Sequence, residues 1–147
     1  MDWITCLWAF VASAGFALMF EMRRPFFIFA AAFCGFVTWA VYLLTAPLAG
    51  EVVRCLLATI VGSLFAELFA RLLRAPATLF LIVGIVPLVP GGGLYYTMEA
   101  LINGNHAEFA QLGIHAAACA AAIAAGVSLV SSLFRIFTRQ MRVGSKK

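Results

Sequence analysis

The sequence predicts an all-α polytopic membrane protein of about five transmembrane helices, one broken at a Pro-Gly-Gly-Gly segment, with its N-terminus outside and its C-terminus inside. Three observations lead there: a very apolar composition, apolar stretches of spanning length, and basic residues confined almost entirely to one set of connections. Apolar residues make up 65% of the 147-residue chain and charged residues 11%. Mean hydropathy is +1.05. A water-soluble domain carries about a quarter charged residues to keep its surface hydrated, so this composition excludes one.

A helix needs about 20 apolar residues to cross the hydrocarbon. The first candidate, residues 3–20, is uncharged. It follows Met1-Asp2-Trp3, which lacks the positive region of a removable signal peptide, so it reads as a retained span. The second covers 26–44, with Pro25 where a helix start tolerates proline. Residues 52–70 form the third, with Arg54 and Glu67 near its ends. A fourth starts at Pro76 and runs into Pro87 and Pro90-Gly91-Gly92-Gly93. The fifth, 109–137, is long enough to span and project beyond the bilayer. No linker or repeat divides the chain, so it reads as one transmembrane domain, 1–147, ending in a basic cytoplasmic tail, 135–147.

Charge fixes the orientation. Arg23 and Arg24 lie between the first two spans, Arg71 and Arg74 between the third and fourth, and Arg135, Arg139, Arg142, Lys146 and Lys147 near or after the end of the fifth. With five crossings all of these face one side, which the positive-inside rule makes cytoplasmic. With four, the tail would oppose the Arg71/Arg74 loop. The net charge of +4 therefore reflects topology and anionic-lipid anchoring rather than nucleic-acid binding.

Small residues recur every four positions: Ala9, Ser13 and Ala17; Ala31 and Gly35; Ala58, Gly62, Ala66 and Ala70; Gly113, Ala117, Ala121 and Ala125. In lipid such stripes allow backbones to approach closely, within the chain or against another subunit, self-association included. Cys6, Cys34, Cys55 and Cys119 show no metal-ligand or redox spacing and read as buried thiols.

The fourth span carries the strongest signal. Residues 76–89 would reach only about 21 Å at helical rise, and prolines with three glycines make a continuous helix through 90–93 improbable. Apolar character resumes over 94–101, and both parts together cover about 40 Å. Two half-helices meeting inside the membrane satisfy this pattern, and such breaks are tolerated where they are buried in protein or line a water-filled cavity. The amides after Pro90, from Gly91 to Tyr95, would then offer a helix N-terminus to a carboxylate, with Tyr95 and Tyr96 closing the site. A proline kink or an extracellular turn is the competing reading.

The stretch Ile85-Val-Pro-Leu-Val-Pro-Gly-Gly-Gly-Leu-Tyr-Tyr-Thr-Met-Glu-Ala-Leu101 resembles the signature of the threonine/serine exporter family, in the short membrane subunit that corresponds to the family's C-terminal domain. The likeness extends over nearly the whole chain. It implies export of threonine, serine or dicarboxylates such as succinate, coupled to the proton gradient. It also implies a larger partner subunit carrying the N-terminal type of domain, in a bacterial inner membrane. Pro87, Pro90, Gly91 and Tyr95 carry over to the family pattern, with Gly92, Gly93 and Tyr96 beside them.

Among the remaining polar residues, Glu99 and His115 are candidates for proton coupling, because ionisable groups at membrane depth are functional hypotheses by default. An interfacial position for Glu99 and a hydrogen bond to a neighbour for His115 are the plainer readings. His106 with Glu108 and Glu99 matches no metal-ligand pattern. Glu67 with Arg71, and Glu51 with Arg54, have the spacing of helix-surface ion pairs. No catalytic set, cofactor motif or phosphate loop is present. A non-transporting scaffold that stabilises a larger partner remains the alternative function.

Overall fold

In a computed structural model that describes residues 3–144, with side chains for 3–136, helices account for every regular element among the described residues. They are α1 (Trp3–Met19), α2 (Pro25–Leu44), α3 (Glu51–Leu73), α4 (Ala77–Ile85), a 3-10 turn (Val86–Leu88), α5 (Gly91–Ile102) and α6 (His106–Gly144). Pro25 occupies the first turn of α2, where its missing N–H leaves no bond unmade. Arg74 closes α3 in the left-handed conformation (φ 50°), and the N–H of Ala75 bonds the Ala70 carbonyl at 2.9 Å. Gly104, at φ +73°, makes the tight turn between α5 and α6.

Pro25–Leu44, Glu51–Leu73 and His106–Ile136 are each long and apolar enough to cross a membrane, and Ala77–Leu88 with Gly91–Ile102 makes a fourth crossing if the bent pair counts as one. At 17 residues, α1 stands at the lower limit of spanning length. The expected basic tail lies largely beyond the described side chains: from Phe137 to Gly144 only the backbone is described, and 145–147 lie outside the described residues.

Cross-helix contacts give the directions. Along α3 and α6, Glu51 meets His115, Thr59 lies beside Gly126, and Arg71 stacks on Phe134. Both numbers rise together, so α3 and α6 are parallel. Phe27 with Phe80 and Cys34 with Gly84 make α2 and α4 parallel in the same way. Between α3 and α6 the chain must therefore return once from one end of the bundle to the other. The broken pair α4–α5, bent by 51°, makes that return.

What holds these helices together is interlocking of small residues. A Cβ on Gly35 would strike the Ser13 side chain, one on Gly62 the Thr38 hydroxyl, and one on Gly84 the Cys34 Cβ at 2.8 Å. One on Gly126 would meet Thr59 at 3.0 Å, and one on Gly113 would meet Thr97 at 3.4 Å. Each threonine in these contacts donates its hydroxyl to the carbonyl one turn back: Thr38 to Cys34 at 2.8 Å, Thr59 to Cys55 at 2.7 Å and Thr97 to Gly93 at 2.6 Å. The polar atom is thereby satisfied within its own helix, leaving a compact surface for the facing glycine. Close backbone approach supplies association energy that lipid-facing hydrophobicity cannot.

Three of the four expected stripes are buried: those of α1, α2 and α3. The fourth is not. On α6, Ala117, Ala121 and Ala125 are exposed, while Ala116, Cys119, Ile123, Gly126 and Val130 face inward. The packed stripe of this helix lies on the adjoining face.

Candidate functional site

The break in the fourth span is built by residues that cannot continue a helix. Pro87 has no N–H to donate, and α4 tightens into the 3-10 turn there. The N–H of Val89 bonds the Val86 carbonyl at 3.1 Å, and that of Gly91 turns back to Val89 at 2.7 Å. Pro90 precedes α5, whose backbone bonding begins when the Leu94 N–H reaches the Pro90 carbonyl at 3.0 Å. The amides of Gly92 and Gly93 thus sit in the first turn of α5, where helix geometry leaves N–H groups free for another acceptor. A Cβ on Gly91 or Gly92 would meet nothing within 4 Å, whereas Gly93 lies against Ala116 of α6. Two glycines border open space and the third packs.

That open space is a cavity of about 230 Å³ between the break, α2, α3 and α6, lined by Pro87 to Gly93 together with Trp39, Tyr42, Glu51, Cys55, His115, Ala116 and Cys119. Its polar wall is an interhelical pair: His115 Nε2 lies 2.8 Å from Glu51 Oε2, both side chains about half exposed. Tyr42 donates its hydroxyl to Glu51 Oε1 at 3.4 Å. Arg54 donates from Nε to the Tyr42 carbonyl at 3.1 Å and places its guanidinium 4.0 Å from the centre of the Tyr42 ring. The expected Glu51–Arg54 pair does not form directly. Tyr42 stands between them, because Glu51 reaches across to α6 and Arg54 reaches back to α2.

Cys119, one turn beyond His115, brings its sulfur to 4.0 Å from His115 Nε2. The ligand atoms of Glu51, His115 and Cys119 all lie within 4.8 Å of one another. Cys55 and Cys119 belong to one buried cluster with Ala58, Leu88 and Ile123.

Of the residues singled out from sequence, Pro87, Pro90, Gly91, Gly92, Gly93 and His115 come together at this cavity. Tyr95 and Tyr96 do not line it. They are 66% and 59% exposed on α5, with their rings edge to face at 5.4 Å, because the helix beginning at Gly91 carries them past the opening. Glu99 is also elsewhere: it lines a second cavity with Tyr96, Ala100, Asn103, Asn105 and Glu108 at the α5–α6 turn. There the Asn105 amide donates to Glu108 at 2.7 Å. Trp39, Tyr42, Glu51, Cys55 and Cys119 also line the cavity, which sequence reasoning missed. For Glu51, Cys55 and Cys119 the signal was the four-residue spacing of Glu51 with Cys55 and of His115 with Cys119, which puts each pair on one helix face.

A bent, interrupted helix pair beside a cavity is a feature that secondary transporters use for substrate and ion sites. The chain matches the family model described as threonine/serine exporter, ThrE, over residues 5–133. It belongs to the threonine/serine exporter family, whose members are transporters, and it is a threonine/serine exporter component. No curated protein and no solved structure matches the chain.

Proposed function

We propose that this chain is the short membrane subunit of a two-component exporter that moves small carboxylate-bearing metabolites, threonine/serine-type amino acids or dicarboxylates such as succinate, out of a bacterial cell across the inner membrane. The whole chain acts as one five-crossing domain with the basic connections and tail in the cytoplasm. Substrate binds in the cavity at the Pro87–Gly93 break, and proton coupling runs through His115 and Glu51.

The observation that carries this reading is the juxtaposition of the first turn of α5 with the His115–Glu51 pair across one cavity of about 230 Å³. Free amides and the positive end of the helix dipole suit a carboxylate, and glycine permits close approach. The volume suits a metabolite of amino-acid size, below the range of drug-sized pockets. The Glu51 carboxylate in the same cavity suits the ammonium group of a threonine- or serine-type substrate, so substrate and proton compete for one group. Competition of this kind is what lets an inward proton drive a substrate outward.

Support for a second subunit comes from α5. This helix packs on α6 and makes no comparable contact with another element among the described residues, which leaves Tyr95, Tyr96 and Met98 exposed on its surface. A partner carrying the N-terminal type of domain would cover that surface. The exposed small-residue face of α6 at Ala117, Ala121 and Ala125 offers a second close approach, to that partner or to another copy.

Gly92→Val tests this reading against the scaffold alternative. Nothing stands within 4 Å of a Cβ at Gly92, so the substitution preserves folding and assembly while filling the cavity. Loss of substrate efflux with unchanged partner co-purification supports transport. Unchanged efflux refutes the assigned site.

A further inference from the structure

The same cavity wall holds thiols that the transport reading leaves without a role, beside the His115–Glu51 pair that it uses. Glu51 and Cys55 are one turn apart on α3, as are His115 and Cys119 on α6, and the parallel run of the two helices stacks the pairs side by side. The result joins an imidazole, a carboxylate and a thiol from two helices, assembled by contacts 64 residues apart in sequence.

We propose that Glu51, His115 and Cys119 form a binding site for a thiophilic divalent cation of the zinc class at the mouth of the cavity. The donor chemistry selects this class. Sulfur and imidazole ligands suit zinc-like ions, whereas magnesium and calcium take all-oxygen sets. Ligands about 2.0–2.3 Å from a tetrahedral ion stand roughly 3.3–3.8 Å apart. The present separations, from 2.8 Å between His115 and Glu51 to 4.0 Å between His115 and Cys119, bracket that range within a set whose atoms all lie inside 4.8 Å.

Access and charge both fit. Glu51 and His115 are about half exposed, while Cys119 is buried at the inner side, so an ion enters from the cavity and meets its sulfur ligand last. The Glu51 carboxylate and a Cys119 thiolate together balance a divalent charge. The nearby Arg54 cation is drawn onto the Tyr42 ring. Cys55 packs in the same buried cluster as Cys119. Three protein ligands leave a fourth position for a water or small ligand, in a cavity that the glycines of the break also line. Metal binding and the His115–Glu51 contact exclude one another, since the ion occupies the space between them.

The claim concerns metal binding and stands apart from the transport reading. Its test is titration of the purified full-length chain in lipid nanodiscs with Co²⁺, followed by Zn²⁺ competition. One equivalent of Co²⁺ should produce a thiolate-to-cobalt charge-transfer band together with the visible bands of tetrahedral cobalt, and Zn²⁺ should abolish both. Cys119→Ser should remove the charge-transfer band. His115→Ala and Glu51→Gln should weaken binding roughly tenfold or more, and Cys6→Ala should change nothing. X-ray absorption on the zinc-loaded wild-type chain guards against misfolded variants: one sulfur with nitrogen and oxygen neighbours is expected. A shell without sulfur, or a charge-transfer band that survives in Cys119→Ser, overturns the proposal.

Discussion

His115 Nε2 lies 2.8 Å from Glu51 Oε2 across 64 residues of chain, and this contact ties the first turn of α3 to α6 beside the broken span. Because both groups are about half exposed, the pair contributes little to stability, on the order of 0–1 kcal/mol. Its place in the cavity wall matters more. His115→Ala and Glu51→Gln should each leave thermal stability in detergent nearly unchanged, and each should lower substrate efflux roughly tenfold or more. The residual flux of His115→Ala should be insensitive to a proton uncoupler. Efflux at the wild-type level in both variants would remove the pair from the coupling role.

Glu99, equally eligible from its sequence position, sits in the separate cavity at the α5–α6 turn. Glu99→Gln should leave efflux and its uncoupler sensitivity within about twofold of wild type, since the substitution touches no atom of the break cavity. A loss as large as that of His115→Ala would move the coupling site to the hairpin.

Glycines at helix crossings divide by what surrounds them. Gly62→Ala forces a methyl against Thr38 and should destabilise the protein by about 1–3 kcal/mol, read as a lower midpoint of denaturant-induced unfolding. Gly15→Ala, also helical but with nothing within 4 Å, should be neutral or stabilising by up to about 1 kcal/mol. Equal effects at the two positions would contradict the interlocked packing of α2 and α3.

Orientation is accessible to labelling. The native cysteines are buried, so single introduced cysteines report cleanly. Asn103→Cys should react with a membrane-impermeant maleimide from outside the cell and Arg23→Cys only after permeabilisation. Labelling of both from the same side would contradict the single return through α4 and α5.

Much of this fold was legible in the sequence because membrane helices announce themselves by apolar length, and the Pro87–Gly93 segment breaks helix geometry for reasons contained in its own residues. The buried stripes of α1, α2 and α3 were readable for the same reason: regular four-residue spacing defines a face. On α6 alanines occupy several faces, so spacing alone selected Ala117, Ala121 and Ala125 where Gly126 and Cys119 do the packing. The cavity partners were less accessible. Glu51 and His115 belong to one site only because α3 and α6 are parallel, a relation created by the broken span between them. Tyr95 and Tyr96 were placed at the cavity by nearness in sequence, but a helix that starts at Gly91 carries them beyond it.

The central claim is best tested by efflux of radiolabelled threonine, serine and succinate from cells expressing this chain alone, a candidate larger subunit alone, or both, with and without a proton uncoupler. Efflux confined to the co-expressing cells and abolished by the uncoupler is the predicted result. Absence of efflux of all three from co-expressing cells, with both proteins present in the membrane, would contradict it.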